Sequence, residues 1–303
     1  MGKIVWLASY PKSGNTWLRF FLYAYFKLDP KKDQGIDLND PALKAFSTQD
    51  VRAEWFRPFL DKPFEEATPA DIAAVRRRAH EMIAKGSPGV VFVKTHNAFV
   101  MDHGVHNITP EVTAGAVYIV RNPLDVVVSA KDHFGHKTMD HAIQQLNSPN
   151  WRLTGTERQA SNLLGSWAQH VESWVGAPRR GIFPVRYEDM LEDPEKVFGW
   201  IIGLLGHEVD EERLRFALSL TSFDRMKARE AETGFGEKSR HSEAFFRRGV
   251  AGGWREAMTI GEAKRIVEKS HEMMARFGYL DERLARFVPK AKKSGKPRAA
   301  PRR

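Results

Sequence analysis

Three short stretches of this 303-residue chain gather side chains suited to a phosphate-like anion: Tyr10-Pro11-Lys12-Ser13-Gly14-Asn15-Thr16, Lys94-Thr95-His96 and Arg121-Asn122-Pro123. The first sets Lys, Ser, Gly and Thr between an apolar run and a helical pattern, where backbone N–H groups and a helix N-terminus can surround an anion. The ATP-type pattern GxxxxGK[ST] is absent: no glycine stands five residues before Gly14, and Lys12 precedes that glycine instead of following it. The loop reads as an anion cradle outside the ATP register. On residue types alone a plain strand-to-helix turn remains open, and so does an ordinary strand-end role for His96.

The elements that must position these residues are legible in outline. Residues 3–8 (KIVWLA) form a β-rich apolar run of the kind buried on both faces, and Trp17 to Tyr25 follow with helical spacing. Gly89 to Val93 and Ala116 to Val120 are further buried strands, ending at Lys94 and Arg121; Gly181 to Val185 is a fourth, weakened by Pro184. Helices are predicted from Pro69 to about Lys85, onward from Pro123, and over 155–176, 194–206, 210–219 and 260–277. Residues 29–68 read as a proline-rich excursion with short helical pieces. Strands alternating with helices imply one α/β domain over 1–288, a central parallel sheet flanked by helices. Ligands of such sheets bind outside the carboxyl ends of the strands, where the three anion-suited stretches fall.

Charge and composition exclude several functions. The chain has 47 Lys+Arg against 38 Asp+Glu and no cysteine, which rules out disulfides, thiolate metal sites and a cysteine nucleophile. Seven basic residues lie in the segment 289–303, which holds no acid, so the body carries 40 basic against 38 acidic residues. That segment is expected to be a disordered basic tail, and the near-neutral body gives no footing for nucleic-acid binding. No apolar stretch approaches the roughly 18 residues of a membrane span, and no signal-peptide core is present. A cytoplasmic protein is expected. His133, His136 and His141, like His103 and His106, are loosely spaced without a matching carboxylate, so no metal is expected.

Taken together, YPKSGNTW at 10–17, RNPLDVVVSAKDHF at 121–134 and FFRRGVAGGWR at 245–255 closely resemble the motifs of the cytosolic PAPS-dependent sulfotransferases. KTH at 94–96, GSWAQHVESW at 165–174, YEDMLEDP at 187–194 and TSFDRM at 221–226 extend the likeness over most of the chain, in order. The resemblance implies a P-loop-like nucleotide-binding architecture and transfer of a sulfuryl group from 3′-phosphoadenosine 5′-phosphosulfate (PAPS) to a hydroxyl or amine, leaving adenosine 3′,5′-bisphosphate (PAP). It implies that Lys12, Ser13, Gly14, Asn15, Thr16 and Trp17 form the 5′-phosphosulfate loop, with Trp17 stacked on adenine. Arg121 and Ser129 would hold the 3′-phosphate, with Arg247, Arg248 and Gly249 closing on it. Tyr187, Thr221, Ser222 and Phe223 would surround the adenine. His96 matches the family's catalytic base and Lys94 its neighbouring lysine. The sequence departs from the pattern at Asn15 (usually Thr), Gly253 (usually Asp) and Arg255 (usually Lys), which bears on the later loop.

Chemistry agrees with these roles. Charge moving onto a leaving phosphate oxygen is stabilised by a cation such as Lys12. A positioned imidazole can take the acceptor's proton, and guanidinium forks suit phosphate. A P-loop nucleotide phosphotransferase is the competing function and lacks its lysine here; a non-enzymatic polyanion binder rests on charge alone. The acceptor is expected to be a small molecule. Phe46, Trp55, Phe56, Phe59, Phe64 and Phe99, in segments 29–68 and 97–110, hint at an apolar one. Trp167, Trp174 and Trp254 are expected in the core, Arg76-Arg77-Arg78 on a solvated helix face, and Asp125 and Asp132 solvated or salt-bridged. The oligomeric state is not set by the sequence.

Overall fold

Alternation within the first strand decides the layers. Ile4, Trp6 and Ala8 of β1 (Lys3–Ser9) enter one apolar cluster and Leu7 enters another, so the strand is buried on both faces. The structure, a computed structural model, describes residues 2–32, 35–176 and 181–289. The strands β2 (Ser47–Gln49), β3 (Val90–Thr95), β4 (Thr113–Val120) and β5 (Ile182–Arg186) join β1 in one parallel sheet of order β2-β3-β1-β4-β5. Ala116, Tyr118 and Val120 of β4 share the first cluster with helices 123–133, 167–175 and 260–276. Val117 and Ile119 share the second with helices 15–27, 194–204 and 211–220. This is the expected α/β sandwich.

Several expectations need correction. Residues 155–166 are not helical; the helix is only Trp167–Val175. Gly165 at φ +65 breaks the chain there, and Ser166 with Gln169 forms a capping box that starts the helix one residue later. The freed segment lies against residues 49–53, through Ala53 N–H to the Arg158 carbonyl (2.9 Å) and Ala160 N–H to the Val51 carbonyl (2.7 Å). Within the excursion at 29–68, Ser47–Gln49 supplies an edge strand the sequence did not announce. Helix Phe223–Thr233 was also not anticipated. Pro184 is tolerated because β5 is the other edge and pairs on one side only.

The arginine run on helix Pro69–Lys85 splits. Arg77 and Arg78 are exposed as expected, but Arg76 is 1% exposed, with its guanidinium 5.7 Å from the Phe56 ring and its charge balanced by Asp50 and Asp102. Helical spacing puts adjacent residues about 100° apart, so three arginines in a row cannot share one face. The three tryptophans Trp167, Trp174 and Trp254 are buried as expected. The basic tail falls, apart from Pro289, outside the described residues.

Candidate active site

Because every strand of the sheet runs in the same direction, the carboxyl ends line up in the strand order. Across the sheet this gives Gln49–Asp50, then Lys94–Thr95–His96, then Ser9 to Lys12, then Arg121, then Tyr187. The order reverses at β1, the switch point where open α/β sheets leave a crevice. A cavity of ≈ 680 Å³ sits there. Of the seventeen residues singled out from the sequence, all but Ser13 line it: Lys12, Gly14, Asn15, Thr16, Trp17, Lys94, His96, Arg121, Ser129, Tyr187, Thr221, Ser222, Phe223, Arg247, Arg248 and Gly249. Ser13 is wholly buried beneath the loop, and its Oγ has no partner among the described residues.

The loop at 10–14 is bent for close approach. Lys12 has φ +68 and Gly14 φ +102, and a Cβ on Gly14 would fall 2.6 Å from the Tyr187 ring. Helix Asn15–Lys27 starts at Gly14 with no side-chain cap and no acid in its first turn, which leaves its N–H dipoles for an anion. Asn15 instead anchors the loop from below, donating its amide to the Leu7 carbonyl at 2.8 Å. Helix Phe223–Thr233 opens onto the same cavity and is likewise uncapped by Ser222.

Five cations converge on this cavity. Arg121 donates to the Lys12 carbonyl (2.9 Å) and the Val250 carbonyl (3.2 Å), tying the first loop to the later one, and stacks 4.4 Å from the Tyr187 ring. Arg247 pairs with Asp132, and Lys94 pairs with Glu237 at 3.0 Å. Lys12, Arg121 and Arg248 have no carboxylate partner among the described residues. Lys12 Nζ lies 4.3 Å from the Phe245 ring, and its pKa is lowered to about 8 by burial first, then by Arg121, Lys94 and Arg247. The buried Nε of Arg121 and Nε1 of Trp17 also lack partners. Uncompensated cations, open helix starts and orphaned donors fit a ligand carrying more than one phosphate-type group.

His96 is held in one tautomer. Its Nδ1 lies 2.7 Å from the Ser9 carbonyl, which only accepts, so Nδ1 carries the hydrogen and Nε2 keeps its lone pair. Burial first, then the charge of Lys94, pushes its pKa down to about 3, so the ring is neutral. His170 was not anticipated: its Nε2 donates to the His96 carbonyl at 3.0 Å, and its Nδ1 accepts the Tyr118 hydroxyl at 2.8 Å.

The chain matches the sulfotransferase domain family over residues 3–278. It belongs to that family. Rat sulfotransferase 2A1 is 25% identical over 285 residues, covering 89% of this chain and 84% of that protein. Among solved structures, retinol dehydratase in complex with androsterone and inactive cofactor PAP aligns with a TM-score of 0.60 at 19% identity, over 89% of this chain and 80% of that one. Mouse sulfotransferase SULT7A1 complexed with PAP aligns at TM-score 0.54 and 19% identity, over 94% and 88%. The sulfotransferase fold, P-loop-like and single-domain, is thus shared across the chain.

Several site residues were missed or misjudged. Glu237 is bonded to Arg19 at 2.8 Å and to Lys94; burial alone would raise its carboxyl, but those two cations hold it well below the usual range. Asp125 is not solvated: it is 4% exposed and accepts the N–H groups of Gly252 (2.8 Å) and Trp254 (2.9 Å), fixing the later loop. Asp125 and His133 stand four residues either side of the already named Ser129 on the cavity face of helix Pro123–His133, a spacing that could have flagged both. Glu230 accepts the N–H groups of Phe245 and Phe246 ahead of the two arginines. Gly249, at φ +62, lets the loop touch Phe223, where a Cβ would fall 2.3 Å from the ring. The expected aromatic wall is absent: Phe56 and Phe64 belong to a separate core cluster with Trp55 at its edge, Phe99 packs on Trp174, Phe46 on Phe92, and Phe59 under Arg78. From segment 29–68 the cavity takes only Gln49, Asp50 and Val51, and from 97–110 nothing.

Proposed function

We propose that this sulfotransferase takes its sulfuryl group from PAPS and passes it to a hydroxyl or amine of a small molecule, with His96 as general base. The observation that carries the reading is the pairing of a neutral, tautomer-fixed imidazole with a cluster of uncompensated cations at one switch-point crevice. PAP in two neighbours of the fold, and androsterone in one, support the nucleotide and a small acceptor.

The residues would divide the work as follows. The N–H groups at the start of helix Asn15–Lys27, with Lys12 and Thr16, would hold the 5′-phosphate side. Arg121, Ser129, Arg247 and Arg248 would hold the 3′-phosphate, and Trp17, Tyr187 and Phe223 would flank the base. The bound donor supplies an activated sulfuryl group. Lys12 stabilises charge on the bridging oxygen that departs with the phosphate. His96 Nε2 accepts the proton of the acceptor hydroxyl, and the Ser9 carbonyl steadies the imidazolium that results. Lys94, released from Glu237 toward the reacting group or holding that pair in place, completes the positive side of the crevice.

Calorimetric titration with PAP in metal-free buffer, beside transfer of ³⁵S from labelled PAPS to phenols, alcohols, amines and sugars, tests the proposal. Saturable PAP binding with label in at least one acceptor is expected. Absence of PAP binding, or binding that requires Mg²⁺ and ATP, overturns it.

A further inference from the structure

Beyond Lys94 and His96 the crevice continues to the β2 edge of the sheet, and its walls there differ from the nucleotide end. Asp50 is 1% exposed; its Oδ2 accepts the Thr95 hydroxyl (2.8 Å) and the Asn97 amide (2.9 Å), while Oδ1 is buried without a partner. Asn162, 8% exposed, lines the same cavity, and its amide has no partner among the described residues. Gln49 and Gln159 touch each other only at 3.4 Å, which leaves the amide of Gln49 and the carbonyl of Gln159 free. The same cavity is also lined by Phe134 and by Leu153, the strand partner of Asn162. Among the described residues no cation lines this end beyond Lys94; burial raises the Asp50 carboxyl above its usual range, and the charge of Arg76 offsets only part of that.

The wall is also rigid. Gln159 and Asn162 belong to the segment bonded to Val51, Ala53 and Ala98, and Asn97 Oδ1 accepts the Leu163 N–H at 3.0 Å. The backbone that carries them is thereby fixed, and an apolar acceptor would strand the buried groups of Asp50 and Asn162.

We infer that the acceptor is polyhydroxylated: a sugar-like ring that offers hydroxyls to Asp50, Asn162 and Gln159 and its C–H face to Phe134. One ring of this type presents both surfaces at once, an apolar face and an edge of donors and acceptors, which suits a cavity end lined by Phe134 and Leu153 together with amides and a carboxylate. This rests on the sulfotransferase reading above, since it concerns what receives the group near His96. A site built to bond hydroxyls discriminates against ligands without them by on the order of 10²-fold or more.

The test compares aryl glycosides and simple methyl glycosides with 1-naphthol and a 3-hydroxysteroid, in ³⁵S transfer and in calorimetric binding to the protein without donor. The expected result is a kcat/KM at least ~10²-fold higher for the best glycoside. Gln159→Leu and Asn162→Leu should each lower glycoside kcat/KM and affinity about tenfold or more while sparing naphthol and PAP. Gln159 is exposed, so its replacement leaves the core intact. Preference for naphthol or the steroid, or variants that leave the ratio unchanged, overturns the inference. PAP binding with no glycoside bound or labelled overturns it too and leaves the family reading standing; loss of PAP binding in the unmodified protein strikes that reading instead.

Discussion

The two ends of the crevice are built on different physics. The nucleotide end is made of loops: the turn at 10–14 leads into an uncapped helix, and the segment 245–253 is pinned by Glu230 and Asp125 through backbone N–H groups. Its ligand-facing groups are mainly long cations and backbone dipoles, which work by charge. The β2 end is made of paired backbone, segment 158–163 laid on 51–53 and 97–98, and it presents amides and a buried carboxylate. Charge attracts from a distance and tolerates imprecise placement; amide hydrogen bonds decay within a few tenths of an ångström and need a stiff frame. On the proposed reading, the loop cluster would hold the donor by charge while the sheet edge would set the choice of acceptor.

The sharpest way to break this division is at the residue where the two ends meet. His96→Ala removes the imidazole that faces the acceptor but no group assigned to the phosphates. Turnover with any acceptor should fall ~10²–10⁴-fold in single-turnover ³⁵S assays, with PAP affinity changed less than about threefold. Near-normal turnover would remove His96 as the base. A matching loss of PAP affinity would show that the two ends are not separable.

The same division accounts for what could be read from sequence. Sixteen of the seventeen named residues line the cavity; most of them were named through motifs that resemble a known family, and only the first stretch, a lysine, a glycine and a helix start within seven positions, was legible from its own local geometry. The proposed acceptor wall draws on residues 49, 159 and 162, brought together by a three-residue edge strand and by the failure of a helix over 155–166. Neither leaves a periodic signal, since Ser47–Gln49 is too short to alternate. The aromatic residues that suggested an apolar pocket were counted by type. Phe56 and Phe64 turn instead into a small core under helix Pro69–Lys85, where Arg76 also lies. Glu237 was invisible for a related reason, as Lys94 and Arg19 are 143 and 218 residues away, and the role of Asp125 was misjudged because the N–H groups it accepts lie 127 and 129 residues on.

Arg121 probes the nucleotide end alone. Arg121→Ala should weaken PAP binding by roughly 10- to 100-fold, the size of a lost charge-assisted pair, through both the missing phosphate contact and the released bridge from the Lys12 carbonyl to that of Val250. Glycoside binding in the absence of donor should stay within about twofold. Unchanged PAP affinity would sink the phosphate role of Arg121. A parallel fall in glycoside affinity would blur the boundary drawn at Lys94 and His96.

The smallest expected effect separates charge from shape within the nucleotide end. Burial and three neighbouring cations lower the pKa of Lys12 to about 8, so the free protein carries that charge below pH 8 and loses it as pH rises past it. An anion favours the charged form. PAP should therefore bind with full affinity near pH 7 and weaken about tenfold or less toward pH 9, with proton uptake on binding that grows over the same interval. Calorimetry in buffers of different ionisation enthalpy reads that uptake directly. Lys12→Arg keeps its charge throughout and should flatten the profile between pH 7 and 9. Glycoside affinity, governed by amides and by Asp50, should not follow the lysine. A slope that survives in Lys12→Arg would assign the titration to another group and remove Lys12 as the tuned cation of the site.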